Sequence, residues 1–186
     1  MATGEVELFK FPRTRHLFDA GGSGVSRDDL LMDAREEALF YSLPRGGRGQ
    51  RAQQQLVALE EKVDGANLGI SLGKDMKLWV QNRSHFINSQ THRQFSCLDS
   101  WLEENSAGLY ELLESGNLVL FGEWLYAKHS IHYTNLPGYF IAFDLYDKQA
   151  GKFFSWRERN RRLESAGVPV VRQVAETTIS GKKDVS

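Results

Sequence analysis

The sequence predicts an α+β fold built mostly of antiparallel sheet with flanking helices. Three observations carry that reading. Apolar runs of strand length recur at Leu56–Glu61, Asn67–Leu72, Leu118–Tyr126 and Tyr139–Tyr146. Turn signals separate several of them, notably Asp64-Gly65 and Gly73-Lys74-Asp75. Two stretches with helical spacing, Phe95–Glu104 and Ser155–Gly167, interrupt the strands rather than alternating regularly with them.

Taken in order, Val6–Phe18 mixes aromatic, basic and Pro residues without a period and reads as irregular chain or a short strand. Ser26 and Asp29 resemble a capping box, and Leu30, Leu31, Ala34, Ala38 and Leu39 recur near helical spacing, so a helix is expected over 27–41. Pro44 to Gly49 breaks regular structure, giving a flexible basic loop over 44–53 with Arg45, Arg48 and Arg51. Leu56–Glu61, Asn67–Leu72 and the segment around Leu78 and Val80 then form an antiparallel meander. Phe95–Glu104 and Leu109–Glu114 are helical, with Leu98, Trp101 and Leu102 on one face. Two more strands follow, and Ser155 with Glu158 caps a helix that stops at Gly167. Its Arg157, Arg159, Arg161 and Arg162 read as a charged outer face. Val168–Val174 reads as a strand. Beyond Arg172 no apolar period survives, so 173–186 is expected to be a loose tail.

At 186 residues the chain is the length of one domain, 1–186. With 23 Lys+Arg against 24 Asp+Glu, no chain-wide basic footprint exists, and a polyanion would need a local groove. The single Cys97 excludes an internal disulfide and a multi-thiolate zinc site. No apolar run is long enough to cross a bilayer, and the glutamates near the start do not suit a secretory signal. A soluble, intracellular protein without a membrane partner is expected.

The most informative string is Glu60-Glu61-Lys62-Val63-Asp64-Gly65-Ala66-Asn67. A lysine at the end of an apolar strand is partly withdrawn from water, which favours the unprotonated amine that acts as a nucleophile. Gly65 lets the backbone approach a phosphate or sugar closely. The plain alternative is a surface lysine beside a hairpin turn. Arg83, within Asn82-Arg83-Ser84, ends a neighbouring strand and suits a forked grip on phosphate. Glu123 stands in an otherwise apolar strand, where a carboxylate is costly unless it points to solvent or holds something such as ribose hydroxyls. Phe140–Asp144 supplies aromatic rings that either pack in the core or stack on a base.

In order, Lys62-Val63-Asp64-Gly65, Asn82-Arg83-Ser84, Phe121-Gly122-Glu123 and Phe140-Ile141-Ala142-Phe143-Asp144 resemble the first motifs of the covalent nucleotidyltransferases. The texture is similar to RNA ligases of the phage end-joining and trypanosome editing kind, over a core of 56–147. The resemblance implies an ATP-grasp-like adenylylation domain. It implies that Lys62 takes AMP from ATP as a lysyl adenylate, assisted by Mg²⁺, and passes it to a 5′-phosphate that a 3′-hydroxyl RNA end then seals. It further implies that Glu61 faces the adenine edge, Arg83 holds phosphate or ribose, Glu123 binds ribose hydroxyls, Phe143 stacks on adenine and Asn67 lines the phosphate end. Asp64 and Gly65 complete the nucleotide-binding set, and no protein metal ligand is implied.

Two later motifs of that family, a Glu-Gly-x-Val strand and a Lys-x-Lys strand, have no match after Asp147; Lys182-Lys183 lacks the spacing. The resemblance therefore implies a partial domain lacking its C-terminal strands, with turnover impaired. The alternatives are a degenerate nucleotide- or RNA-binding module, or one part of a split ligase whose sheet a second chain completes. His129, His132 and Tyr133 read as a polar loop lining a cleft.

Overall fold

A computed structural model describes residues 6–19, 25, 30–41 and 55–179. The flexible loop expected over 44–53, the Ser26–Asp29 capping box and Lys182-Lys183 lie outside the described residues. The chain divides into two compact units, one of residues 1–11 with 61–172 and one of 12–60 with 173–186.

The first unit is organised on an antiparallel sheet. Its strands are β4 (Ala66–Leu72), β5 (Leu78–Gln81), β6 (Phe86–Ile87), β7 (Leu118–Trp124), β8 (Phe140–Asp147) and β9 (Lys152–Phe153), in the order β6-β5-β4-β7-β8-β9. Alternate residues face opposite sides of such a sheet. Leu68, Ile70, Leu120, Phe140 and Leu145 are fully buried in the main core. That core includes Leu98 and Trp101 of α2 (Leu98–Glu104), Leu109 and Leu113 of α3 (Ser106–Leu113), and Leu163 of α4 (Trp156–Ser165). The expected helix from Phe95 begins later because Arg93–Phe95 forms a 3₁₀ turn. Asn105 separates α2 from α3, donating its Nδ2 to the Trp101 carbonyl at 2.7 Å.

Aromatic rings of the N-terminal segment pack on the sheet. Phe9 stacks on Tyr146 at 4.0 Å between ring centres, and Phe11 meets Phe121 and Phe143 edge-on at 5.1 Å each. Gln81, 2 % exposed, explains how a polar side chain is tolerated there. Its Oε1 accepts from the Phe9 N–H at 3.1 Å and its Nε2 donates to the Phe9 carbonyl at 2.6 Å, so one amide satisfies both backbone groups.

α4 starts and stops where the sequence places it. Ser155 accepts from the Glu158 N–H at 3.4 Å, and Gly167 takes the left-handed φ of +67° beyond the C-cap. The expectation of a wholly charged outer face fails at Arg159, which is 2 % exposed and donates to the Phe143 carbonyl. The cause is a β-bulge. The β7–β8 register runs from Gly122↔Ala142 to Phe121↔Asp144 and skips Phe143, and the guanidinium bonds the skipped residue's carbonyl.

The second unit holds β1 (Arg15–His16) parallel to β2 (Leu30–Leu31), α1 (Ala34–Tyr41), and β3 (Gln55–Glu60) antiparallel to β10 (Gln173–Ile179). The helix expected over 27–41 is therefore shorter. Asp33 caps it, accepting from the Arg35 and Glu36 N–H groups at 2.9 and 2.8 Å while Glu36 reaches back to the Asp33 N–H at 3.0 Å.

Two further expectations are corrected here. The tail after Arg172 is not loose through its first residues but forms β10. Its Thr-rich alternation lacks an apolar period, yet β3 supplies the hydrogen-bonding partner that holds it. The strand expected over 168–174 reduces to an isolated bridge between Ala142 and Val170, with β10 beginning at Gln173. Nor do Leu56–Glu61 and Asn67–Leu72 form a hairpin: β3 pairs with β10, whereas β4 pairs with β5 and β7. No helix among the described residues is long and apolar enough to cross a membrane.

Candidate active site

A cavity of about 410 Å³ opens in the first unit where β4, β5 and β7 converge. Lys62, Asp64, Gly65 and Asn67 contribute one wall. Arg83 and Glu123 contribute from the turn after β5 and from β7. Six of the eight residues singled out from sequence thus share one lining.

Each is placed by an identifiable local cause. Gly65 is required by a close approach to protein, not by turn geometry: a Cβ there would lie 2.6 Å from the Trp124 carbonyl oxygen and 2.7 Å from Leu125 Cδ2. Asn67 lies directly across from Glu123 in the β4–β7 register. Arg83 sits at the tip of a turn made by Asn82, whose Oδ1 accepts from the Ser84 and His85 N–H groups at 2.8 and 2.9 Å. Lys62 is exposed, not partly withdrawn from water as its position behind an apolar strand predicts. The turn that follows carries it out at the cavity wall.

The electrostatic centre is Glu123. Burial raises its carboxyl from the ordinary 4.5 to about 7, against the opposing effects of a hydrogen bond from Asn67, the charges of Lys62 and Arg83, and a backbone bond from Gly65. Asp64 is held below its ordinary value, first by the Ser130 side-chain bond and then by the Ser130 N–H. The Asp64 N–H in turn donates to Tyr133 Oη at 2.8 Å, so the turn and the 126–138 loop are fastened together.

Glu61 and Phe143 are not in the lining. Glu61 is exposed, with its N–H bonded to the Arg172 carbonyl at 2.9 Å. Phe143, the bulge residue, packs on Phe11 and on the cluster of Val63, Leu125, Ile141 and Val171. Gln94 and Phe95 line the cavity without having been singled out. Trp124 Nε1 donates to the Gln94 carbonyl at 2.6 Å and ties that turn to β7, a contact across thirty positions that no local pattern announces. Among the described residues, no three His, Cys, Asp or Glu side chains gather as a metal site.

The six-stranded antiparallel sheet thus carries a lysine, an arginine and a half-buried glutamate around one cavity. The RNA ligase family model matches residues 55–185, and the chain belongs to that family. Two solved structures of a Naegleria gruberi RNA ligase agree in fold. A Naegleria gruberi RNA ligase with PPi is 21% identical with a TM-score of 0.51, covering 67% of this chain and 38% of that one. A mutant of the Naegleria gruberi RNA ligase with ATP and Mn gives the same identity, coverage and score. An archaeal ATP-dependent RNA ligase is 25% identical with a TM-score of 0.49, over 68% of this chain and 32% of that one. The chain thus spans about a third of the length of these ligases. The comparison with curated proteins gives no match.

Proposed function

We propose that the cavity is the nucleotidyl-transfer site of an ATP-dependent RNA ligase and that Lys62 is its nucleophile. The observation that carries this reading is the meeting of Lys62, Arg83 and Glu123 around one cavity in a chain of the RNA ligase family. In the first step the Lys62 amine, having lost a proton to solvent, forms a bond to the α-phosphorus of ATP. The bond to the bridging oxygen breaks and pyrophosphate leaves with the electron pair. In the second, an oxygen of an RNA 5′-phosphate attacks the same phosphorus and the amine departs. In the third, a 3′-hydroxyl oxygen forms the phosphodiester, its proton goes to water and AMP leaves.

The other residues bind and orient. Arg83 would hold phosphate oxygens through its fork of N–H donors, and Asn67 would hold Glu123 while facing the phosphates. Glu123 would accept from ribose hydroxyls. Of the carboxylates on the lining, Asp64 is the one not assigned to ribose and would suit Mg²⁺ carried in on the phosphates, since that ion uses one or two carboxylates rather than a protein cage. When bound it would offset the charge of the triphosphate and of the leaving pyrophosphate.

A second reading is a module that holds a nucleotide or an RNA end without turnover. The observation favouring it is that Lys62 and Arg83 supply all the cationic side chains on the lining among the described residues, so charge developing at the α-phosphate meets few donors. Incubation with α-³²P-labelled ATP and Mg²⁺, followed by a denaturing gel, separates the two. Label on the wild type, removed by added pyrophosphate and absent in Lys62→Ala, supports transfer. Folded protein that binds ATP but takes no label supports the module.

A further inference from the structure

A second cavity of about 380 Å³ shares Gln94 with the first and is lined by His92, Arg93, Tyr126, Lys128 and His129. The nucleotide reading uses none of these five residues. No acidic side chain among the described residues lines this cavity. Four cation-forming side chains converge on it, and all four are exposed.

Its walls are fixed. One wall, the 92–94 turn, is bonded to β7 through Trp124 Nε1 and the Gln94 carbonyl at 2.6 Å. The other, 126–129, leaves the end of β7 and is fastened at Ser130 to Asp64. His92 accepts the Gln94 N–H on Nδ1 at 3.3 Å, so the neutral ring carries its hydrogen on Nε2 as a donor. At the rim, Tyr126 and Tyr139 meet edge-on at 5.2 Å while remaining 40% and 45% exposed. Tyr139 also packs on the core residue Trp124, at 5.8 Å between ring centres, whereas Tyr126 lies on the cavity lining.

Arg93 and Lys128, on a lining that carries no carboxylate, attract phosphate, and the exposed Tyr126 ring beside them offers a face on which an unpaired base stacks. We propose that this cavity is a subsite for a single-stranded nucleic-acid segment, with Arg93, Lys128 and the two histidines on phosphate and Tyr126 stacked on a base. Its position across Gln94 from the Lys62 cavity puts that strand beside the nucleotide. The proposal rests on the ligase reading only for the strand's role there as the end to be joined.

The test is fluorescence anisotropy of the full chain with a labelled single-stranded RNA 12-mer bearing a 5′-phosphate, the DNA of the same sequence, and a heparin fragment as a polyanion without bases. Binding of a fluorescent ATP analogue is measured separately. Arg93→Ala with Lys128→Ala should weaken RNA binding roughly tenfold or more. It should also lower the slope of log affinity against log salt by about 1.4, from about 0.7 per phosphate contact in a single strand. Tyr126→Leu should weaken RNA binding about 5-fold to 150-fold, while Tyr126→Phe restores it, because stacking needs the ring and not the hydroxyl. Binding of the ATP analogue should not change in any of these variants. Equal RNA affinity in wild type and variants overturns the subsite, as does heparin binding as tight as RNA. No measurable RNA binding by folded wild type overturns it too. A wild type that binds RNA as described but no ATP analogue sinks the nucleotide reading and leaves the subsite standing, so the two failures are separable.

Discussion

Glu123→Gln should stabilise this protein at high pH and leave it unchanged at low pH. In the folded chain burial raises the Glu123 carboxyl to about 7, from an ordinary 4.5. Between those values the folded state holds a proton that the unfolded state has lost, so wild-type stability falls as pH rises through that window. At about 1.4 kcal/mol per pH unit the full difference is about 3 kcal/mol. The carboxylate keeps contact with solvent at the cavity, which reduces this to on the order of 1–2 kcal/mol. Glutamine is neutral at every pH and can still pair with Asn67, so it removes the penalty and keeps the contact. Thermal unfolding at about pH 8 should show the variant melting roughly 2–8 °C above the wild type, at about 2–4 °C per kcal/mol for a chain of this size. Near pH 4.5 the two curves should coincide. A shift of equal size at both pH values would refute the reasoning, because it would come from packing and not from ionisation. A variant less stable at pH 8 would refute it outright.

Other perturbations test the surrounding structure. Gly65→Ala drives a methyl against the Trp124 carbonyl at 2.6 Å and should cost about 1–3 kcal/mol in urea unfolding, with loss of ATP labelling. Arg159→Met removes a buried donor from the Phe143 carbonyl and should cost about 2–3 kcal/mol; equal stability would show that the bulge carbonyl finds another donor. Asp64→Ala releases Ser130 and should speed amide hydrogen exchange in the 126–138 loop while exchange in β7 stays slow. Because Asp64 is held below its ordinary 3.8, its contribution is present above that value and lost as pH falls through its lowered one, so loop protection should also fall in acid.

What was legible in the sequence divides along the range of the interactions. β4, β7, β8 and α4 follow from period, caps and turn residues that are local, and their bounds fall within a few residues of expectation. The partner of β3 was not legible. Asp64-Gly65 reads as a hairpin turn on local grounds, but Gly65 is small because β7 passes against it, and β3 pairs instead with a Thr-rich strand more than a hundred positions away. Phe143 shows the same limit from the other side. Its place in an alternating strand puts it on a predictable face until a bulge, visible only in the register with β7, turns it toward Phe11. The gathering of Lys62, Arg83 and Glu123 was legible because motif order survives changes in loop and register that single residues do not.

The site is also where the fold is least content by itself. Glu123 is half-buried with its carboxyl pushed up, held by Asn67 and Gly65, and Lys62 and Arg83 are the cations near it among the described residues. A core tuned for stability would place an apolar residue on that strand, whose neighbours Gly122 and Trp124 are buried. Keeping a carboxylate there costs stability at neutral pH, and a ligand that donates hydroxyl hydrogens would recover part of it. The same ligand should therefore lower the pH at which Glu123 ionises, since donors favour the charged form. Saturating adenosine nucleotide should shift the pH-dependence of wild-type melting downward and leave that of Glu123→Gln where it was. A nucleotide that raises the melting temperature equally at about pH 5 and pH 8 would place the ribose away from Glu123.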